Sequence, residues 1–262
     1  MPCEKDMRIF NMHNDSNVSI TKKKGVFSVM EHRTDLSQND PSQAMMHFYM
    51  QHQGIHKRQL AINLSNQGVI LQNGAMQWMA GDVKSTTDVK GIGDLFGKAI
   101  KGKITGESAI NPLYKGTGMI ICEPTYKHLI LEEISDHGGL AVADGIFLAC
   151  EDTVELKIST VKTFSGAVAG NMGIFNLLLK GVGVAALECP LPEEEIIRVD
   201  LSQGEEIRVD GPYAIMWDEN LVMSVERSSK TLLGSAVSGE GLVNVYRGVG
   251  SVWLTTASAN VK

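Results

Sequence analysis

Three cationic residues occupy one position of a pattern that occurs three times in the chain. Lys115, Lys180 and Arg247 each follow a large apolar residue and precede a Gly-x-Gly triplet. If the three copies surround a common axis, these cations converge and need an anion, a ring of carboxylates or solvent between them, because like charges repel. If they do not converge, each cation caps its own turn or pairs with a nearby surface carboxylate. The pattern indicates either an anion or partner site, or three local ion pairs.

Turn-forming glycines stand at two matching places in each copy of the pattern. One follows an Asn or Asp, and such pairs favour tight hairpin turns because glycine takes a positive φ without a Cβ clash. The other opens the Gly-x-Gly triplet, and it recurs at a nearly constant interval along the chain. The sequence therefore predicts structural turns at Gly74, Gly145, Gly211, Gly116, Gly181 and Gly248.

Segments beside these turns alternate apolar and polar residues, as a strand with one buried face requires. The alternation is clearest over residues 154–158, 197–202 and 206–210. Glycine is frequent at 27 residues and proline is ordinary at 7, which is typical of many strands joined by tight turns. We predict an all-β protein with three tandem β-sandwich or short double-stranded β-helix units in a pseudo-threefold arrangement, and few short helices.

The repeat also sets the predicted boundaries within one compact domain. Residues 58–125, 126–191 and 192–262 form the three β-units, and residues 1–57 form an N-terminal extension with added strands. Residues 91–108 connect the halves of the first unit and place apolar residues at helical spacing, mostly opposite lysines. This connector is interpreted either as a lid over the first unit, the commoner role of such segments, or as a contact with anionic lipid at a membrane surface.

Residues that commonly carry catalysis or bind metals form no recognisable set. His47, His52 and His56 lie close together, but their spacing fits neither one helix face nor alternate strand positions, and no cysteine or carboxylate cluster accompanies them. The glycines of residues 91–97 miss the spacing of a phosphate-binding loop, and no Gly-x-Ser-x-Gly occurs. We therefore predict no catalytic residues, no metal site, no cofactor and no enzymatic activity.

Composition narrows the expected location and partners. The 262 residues carry a formal net charge of -6, so the chain as a whole does not attract nucleic acid phosphates. We expect a cytoplasmic protein, because the sequence has no long apolar run and no leader-like N-terminus. The four cysteines form no CxxC pair, which fits reduced thiols.

Three separated blocks of the sequence carry a family resemblance. They are GAMQWMAGDV at residues 74–83, GES at 106–108 with KGTG at 115–118, and GEGL at 239–242 with GVGSVWL at 248–254. Over residues 60–257 the chain resembles the altered-inheritance-of-mitochondria protein 24 family. Its usual Gly-Pro-Gly stands here as Gly-Thr-Gly or Gly-Val-Gly, which puts the tightness of these turns in question, and the N-terminal extension is longer than is typical.

The resemblance implies a fold like that of the tryptophan RNA-binding attenuation protein, repeated three times in one chain. It implies no established enzymatic activity, and it links mitochondrial members to inner-membrane organisation. We therefore expect a non-enzymatic binding or scaffold protein whose partner is another protein or an anionic ligand. The alternative is an RNA- or other polyanion-binding module, which the acidic balance and the lack of a basic, aromatic-interleaved stripe disfavour. Unpaired strand edges would favour a homo-oligomer.

Overall fold

The computed structural model describes residues 9–12, 16–37, 40–86, 111–160, 162–163, 175–227 and 242–257. In these residues it contains one α-helix, α1 (Pro41–His52), and three short 3-10 turns among the strands. The strands are β1 (Val18–Lys24), β2 (Phe27–His32), β3 (Lys57–Leu71), β4 (Met76–Thr86), β5 (Leu113–Cys122), β6 (His128–Glu133), β7 (Leu140–Val142), β8 (Phe147–Glu151), β9 (Val154–Thr160), β10 (Lys162–Thr163), β11 (Phe175–Gly181), β12 (Val184–Cys189), β13 (Ile197–Leu201), β14 (Glu206–Asp210), β15 (Ala214–Asp218), β16 (Val222–Arg227), β17 (Leu242–Arg247) and β18 (Gly250–Leu254). The predicted all-β class is confirmed, and the connector at 91–108 lies outside the described residues.

The strands form three sheets. The first has the order β1-β2-β3-β8-β12-β6, and β5 joins it through β3 and carries β4 on its other side. Because β1 approaches β6, this sheet is nearly closed into a barrel. The second sheet has the order β13-β18-β15-β7-β11-β9, and the third has the order β10-β16-β17-β14. All of these pairs are antiparallel except β10 with β16.

One pairing scheme recurs along the chain. β12 pairs with β6 and β8, and β18 pairs with β13 and β15. β11 pairs with β7 and β9, and β17 pairs with β14 and β16. The long strand β5 makes both kinds of contact along its length, since it pairs with β3 on one side and with β4 on the other. Two further edges join these groups, one between β3 and β8 and one between β7 and β15.

The core is divided among several clusters because strands of the first and second sheets bury both faces. On β12, Ala186 packs in the cluster inside the first sheet, whereas Ala185 and Leu187 pack in the cluster that this sheet shares with the second. On β15, Met216 packs in that shared cluster, and Trp217 packs in the cluster between the second and third sheets. The small Ala185 and Ala186 suit a strand that is packed on both faces, because stacked sheets lie only about 10 Å apart.

The predicted turn glycines lie at chain corners, and the hairpin part of that prediction is wrong. Gly74 and Gly145 lie in turns with φ of 81° and 80°, and the short 3-10 turn that follows β14 begins at Gly211. Yet β3 does not pair with β4, nor β7 with β8, nor β14 with β15, in the part of the chain that the structure describes. Each corner thus carries the chain onward to a strand that pairs elsewhere.

The Gly-x-Gly triplets lie where the backbones of two chain segments approach closely. At Gly116 φ is 138°, and a Cβ there would overlap the carbonyl oxygen of Asp82 on the paired strand β4. Gly181 and Gly248 also have positive φ, at 104° and 124°. These glycines therefore permit close backbone approach at a bend, and none of them closes a hairpin between neighbouring strands.

Helix α1 follows from a local signal in the N-terminal extension. The side chain of Asp40 accepts hydrogen bonds from the amides of Ser42 and Gln43, and Pro41 occupies the first helical turn, where its missing N–H costs nothing. No residue of the helix is buried, so it lies on the surface. Within the described residues, no helix combines the length and hydropathy that a membrane span requires.

Candidate functional site

The first recurring cation bridges two neighbouring groups of strands. Lys115 on β5 forms an ion pair of 2.8 Å with Asp152, which directly follows β8. Gly68 of β3 lies between them, because it pairs with Lys115 on one side and its carbonyl accepts from the Asp152 amide at 2.9 Å on the other. A Cβ on Gly68 would overlap the Asp152 carboxylate. We name the edge between β3 and β8, with this ion pair, the first junction.

The second cation has the same surroundings one step further along the chain. Lys180, at the end of β11, forms an ion pair of 2.7 Å with Glu219, which follows β15. The carbonyl of Gly139 accepts from the Glu219 amide at 2.9 Å, and a Cβ on Gly139 would overlap the Glu219 carboxylate. We name the edge between β7 and β15, with this ion pair, the second junction.

The third cation pairs differently. Arg247 on β17 binds Glu206 on β14 at 2.7 Å and Glu226 on β16 at 2.5 Å, and it also contacts the hydroxyl of Ser224. Glu206 is the register partner of Arg247, so it stands where Gly68 stands beside Lys115. A glutamate side chain therefore fills the space that a glycine leaves open at the two junctions, and it supplies the carboxylate itself.

Each recurring cation thus has a carboxylate partner in the structure. Hydrogen bonds from Arg208 and Arg247 lower the pKa of Glu206, and the hydrogen bond from Arg247 lowers the pKa of Glu226. These carboxylates stay ionised at neutral pH, and their charges are balanced by arginine.

A second carboxylate marks the corner at each junction. At the first junction, Glu151 accepts from the amides of Val26 at 3.2 Å and Val184 at 3.0 Å. At the second junction, Asp218 accepts from the amide of Ser251 at 2.8 Å. The Asp218 carboxylate also contacts His137. Glu151 thus fixes the bend after the triplet at residues 181–183, and Asp218 fixes the bend after the triplet at residues 248–250.

His137 links two carboxylates across the second junction. Its Nε2 lies 2.7 Å from Glu132 Oε1, its Nδ1 lies 3.3 Å from Asp218 Oδ1, and Trp253 packs edge-on against its ring. The hydrogen bond to Glu132 raises the pKa of His137, and Asp218 raises it further against the opposing effect of burial. With both ring nitrogens facing carboxylates, the protonated imidazolium is the better-satisfied form.

A polar cavity of about 510 Å³ opens where the N-terminal extension meets β3 and β4. We name it the α1 pocket. Its lining combines one cation, one carboxylate, one imidazole, three amide side chains, two hydroxyls and one proline: Lys57, Asp35, His47, Gln43, Gln59, Gln77, Ser37, Tyr126 and Pro124.

A chain of hydrogen bonds orders the pocket wall. The Tyr126 hydroxyl donates to Asp35 at 2.5 Å, and Lys57 Nζ donates to the same carboxylate at 2.7 Å. Since the single hydroxyl proton goes to the carboxylate, the 3.0 Å contact between His47 Nδ1 and the Tyr126 oxygen requires a proton on Nδ1. The network therefore makes Nδ1 of His47 the donor in its contact with Tyr126.

The electrostatics of the pocket favour fixed charges over acid–base chemistry. Burial raises the pKa of Asp35, but hydrogen bonds from Lys57, Ser37 and Tyr126 outweigh burial and hold that pKa far below its ordinary value. Burial and the neighbouring Asp35 raise the pKa of Tyr126 well above that of a free phenol. At neutral pH Asp35 is ionised and Tyr126 is protonated, so neither is poised to exchange a proton near pH 7.

The structure separates the three histidines that lie close in sequence. His47 lines the α1 pocket, His52 contacts the carbonyl of Phe48 on its own helix, and the buried Nδ1 of His56 has no partner among the described residues. Three or more metal-binding side chains do not gather anywhere in the described part of the chain. Sequence reasoning missed Asp35 and Tyr126, which lie 91 residues apart, and the only local signal was the Asp-Pro start of α1.

Comparison with known proteins places the fold. The crystal structure of protein SPYM3_0169 from Streptococcus pyogenes matches with a TM-score of 0.56 at 22% identity, covering 78% of this chain and 89% of that one. At this identity the likeness establishes the fold alone. A protein of Streptococcus pyogenes serotype M6, named "Uncharacterized protein M6_Spy0233", is 24% identical over 200 residues, which cover 74% of this chain and 79% of that protein.

The family model described as Mitochondrial biogenesis AIM24 matches residues 49–257. This span includes every strand from β3 to β18, both junctions and the wall of the α1 pocket that the sheet supplies. Asp35 and His47 precede it. The resemblance predicted from residues 60–257 is confirmed, and the chain belongs to the AIM24 family.

Proposed function

We propose that this chain is a non-enzymatic scaffold or binding protein built from three β-units in series. The units correspond to residues 58–125, 126–191 and 192–262. The observation that carries the proposal is the pairing scheme that recurs with β5, with β11 and β12, and with β17 and β18 as its central strands. A chain that uses its recurring residues to join repeated units is a platform, and its partners bind the surface of that platform.

The junction geometry supports units that are joined in series. Each of Lys115 and Lys180 reaches past a glycine of its own unit to a carboxylate of the following unit. Arg247, in the last unit, uses carboxylates of its own unit. The pseudo-threefold ring stays a prediction, because no strand pair between β14 and β4, which would close such a ring, occurs in the described residues.

Charge pairing favours this proposal over a polyanion-binding module. A site for RNA or another polyanion needs cations that are free to neutralise phosphates. Here each recurring cation lies 2.5–2.8 Å from a carboxylate, and displacing that partner would cost part of the binding energy. The net charge of -6 also disfavours the binding of a polyanion.

The test replaces Lys115, Lys180 and Arg247 together with Gln in the full chain. Two quantities are measured: the free energy of unfolding in urea, and retention of heparin and of single-stranded RNA in a filter-binding assay at low salt. The scaffold proposal expects a lower free energy of unfolding and polyanion binding that is weak and unchanged. Strong polyanion binding by the natural chain that the triple variant loses would overturn the proposal in favour of the polyanion-binding module.

A further inference from the structure

We propose that the α1 pocket binds a small carboxylate ligand of metabolite size. This goes beyond the scaffold role, which uses the junctions and does not need the pocket. The cavity of about 510 Å³ falls within the range of roughly 300–1,000 Å³ that is usual for small-molecule sites.

The pocket is assembled from two parts of the chain. Asp35, Gln43 and His47 come from the N-terminal extension, ahead of the residues 49–257 that the family model matches. Lys57 and Tyr126 lie within the matched residues. The extension folds back so that the Asp35 carboxylate, with only 5% of its side chain exposed, binds both Lys57 and Tyr126 directly. The site thus combines residues from inside and outside the span that the family model matches.

Among the described residues that line the pocket, the one carboxylate already accepts hydrogen bonds. Asp35 accepts from Lys57, from the Tyr126 hydroxyl, and from both the amide and the hydroxyl of Ser37. A carboxylate has about four lone-pair positions, so these donors occupy it. Asp35 therefore serves to fix Lys57 and Tyr126, and a ligand cation would have to displace four existing hydrogen bonds to reach it.

The donors around the cavity retain capacity. Lys57 has three N–H groups, and one of them donates to Asp35. Gln77 accepts through Oε1 from Gln59, which leaves its own amide nitrogen as a donor. The amide of Gln43 adds a third donor to the same lining. Lysine and amide donors that line one cavity can bind the two oxygens of a carboxylate, and hydrogen bonds to an ionised acceptor are the stronger kind.

The experiment compares succinate with succinamide, which has nearly the same size and shape but no charge. Binding of each to the full chain is measured by isothermal titration calorimetry in low-salt buffer. We expect succinate to bind and succinamide to bind at least about tenfold more weakly, since charge-assisted hydrogen bonds are lost. Equal affinities, or no succinate heat, overturn the proposal.

Variants locate the binding. Gln43→Met and Gln77→Met remove donors while keeping the ion pair of Lys57 and Asp35 intact, and Gln203→Met makes the same change in an exposed turn after β13. Each pocket variant should weaken succinate about tenfold, the effect of one charge-assisted hydrogen bond, and Gln203→Met should leave affinity unchanged. Pocket variants that fold normally and bind succinate as the natural chain does would contradict the assignment. Because the triple Gln variant of the three recurring cations changes no residue of the pocket, failure of either proposal is distinguishable from failure of the other.

Discussion

The two junctions share one design but differ at the corner carboxylate. In both, a cation reaches past a glycine to pair with a carboxylate. The pairs are Lys115 with Asp152 and Lys180 with Glu219. At the first junction the corner carboxylate Glu151 accepts from the backbone amides of Val26 and Val184. At the second, Asp218 also faces the imidazole of His137.

This difference shows that the bonds that stabilise a strand edge are distinct from the contact that makes its stability depend on pH. Backbone amides do not titrate, so the bonds to Glu151 persist as long as the carboxylate is ionised. The carboxylates beside His137 raise its pKa, so the second junction contains a pH-dependent contact that the first lacks. The first junction instead secures the N-terminal extension, since Val26 lies in the turn between β1 and β2.

The largest expected effect on the free energy of unfolding comes from adding a side chain at Gly139 of the second junction. Gly139 has a φ of 152°, and a Cβ there would overlap the Glu219 carboxylate, so Gly139→Ala combines backbone strain with loss of the ion pair. We expect a loss of about 2–4 kcal/mol in the free energy of unfolding. Gly68→Ala has the overlap without the positive φ and should lose about 1–2 kcal/mol. Urea denaturation measures both.

Gly54→Ala separates backbone strain from crowding. Gly54 has a φ of 74° and no atom within 4 Å of the added Cβ, so this variant reports strain alone. We expect it to lose less free energy of unfolding than Gly139→Ala. If the two variants lost the same amount, the space beside Gly139 would not be crowded, and the ion pair would tolerate a side chain there.

A smaller effect is expected from His137, and it should depend on pH. The native pKa of His137 is raised above 6.5, so the stability that its protonated form contributes is complete below pH 6.5 and is lost as pH rises through the native pKa. His137→Gln should therefore cost about 1–2 kcal/mol at pH 5.5 and less at pH 8.5. Urea denaturation of both proteins at each pH measures the difference.

His128 provides the opposite control. Burial, with Arg58 nearby, lowers the pKa of His128 to about 4, so natural-chain stability is lost as pH falls from 6.5 towards 4. His128→Gln should remove that loss, so the variant should gain stability over the natural chain as the pH falls.

If His137→Gln lowered the free energy of unfolding equally at pH 5.5 and pH 8.5, the imidazolium would not contribute to the second junction.

The smallest effects are expected from the cations themselves. Arg247 holds two carboxylates, whereas Lys115 holds one and its side chain is 58% exposed. Replacing Arg247 with Met leaves Glu206 and Glu226 with Arg208 as their remaining cation, and we expect a loss of about 1 kcal/mol. Lys115→Met should cost no more than about 0.5 kcal/mol. Unfolding in urea at low and high salt checks this order, and salt should shrink both losses. An equal loss for both would mean that sharing two carboxylates adds nothing.

Local patterns predicted the strands well, because alternation is a property of neighbouring residues. The predicted segments at 154–158, 197–202 and 206–210 coincide closely with β9, β13 and β14. The hairpin interpretation failed because a turn residue does not determine which strands pair; each Asn-Gly or Asp-Gly corner leads to a strand whose partners lie elsewhere. Helix α1 could have been predicted from Asp40-Pro41.

The α1 pocket was beyond local reasoning for a different reason. Asp35 and Tyr126 meet only after β2 has paired with β3 and the extension has folded against it, so their contact depends on long-range assembly. The junction partners Asp152 and Glu219 could not be predicted either, since nothing near Lys115 or Lys180 in sequence identifies them. The sequence showed that the cations recur, but it did not show which carboxylates they pair with.

Glu206 occupies, beside Arg247, the place that glycine occupies beside the other two recurring cations. Gly68 and Gly139 leave room for the carboxylates of Asp152 and Glu219, whereas the side chain of Glu206 lies beside Arg247 and pairs with it at 2.7 Å. An acid from another strand could approach Arg247 in the way that Asp152 approaches Lys115 only if this glutamate were exchanged for glycine. One side chain at this position therefore decides whether the cation pairs with an acid of the adjacent strand or accepts an acid from beyond it.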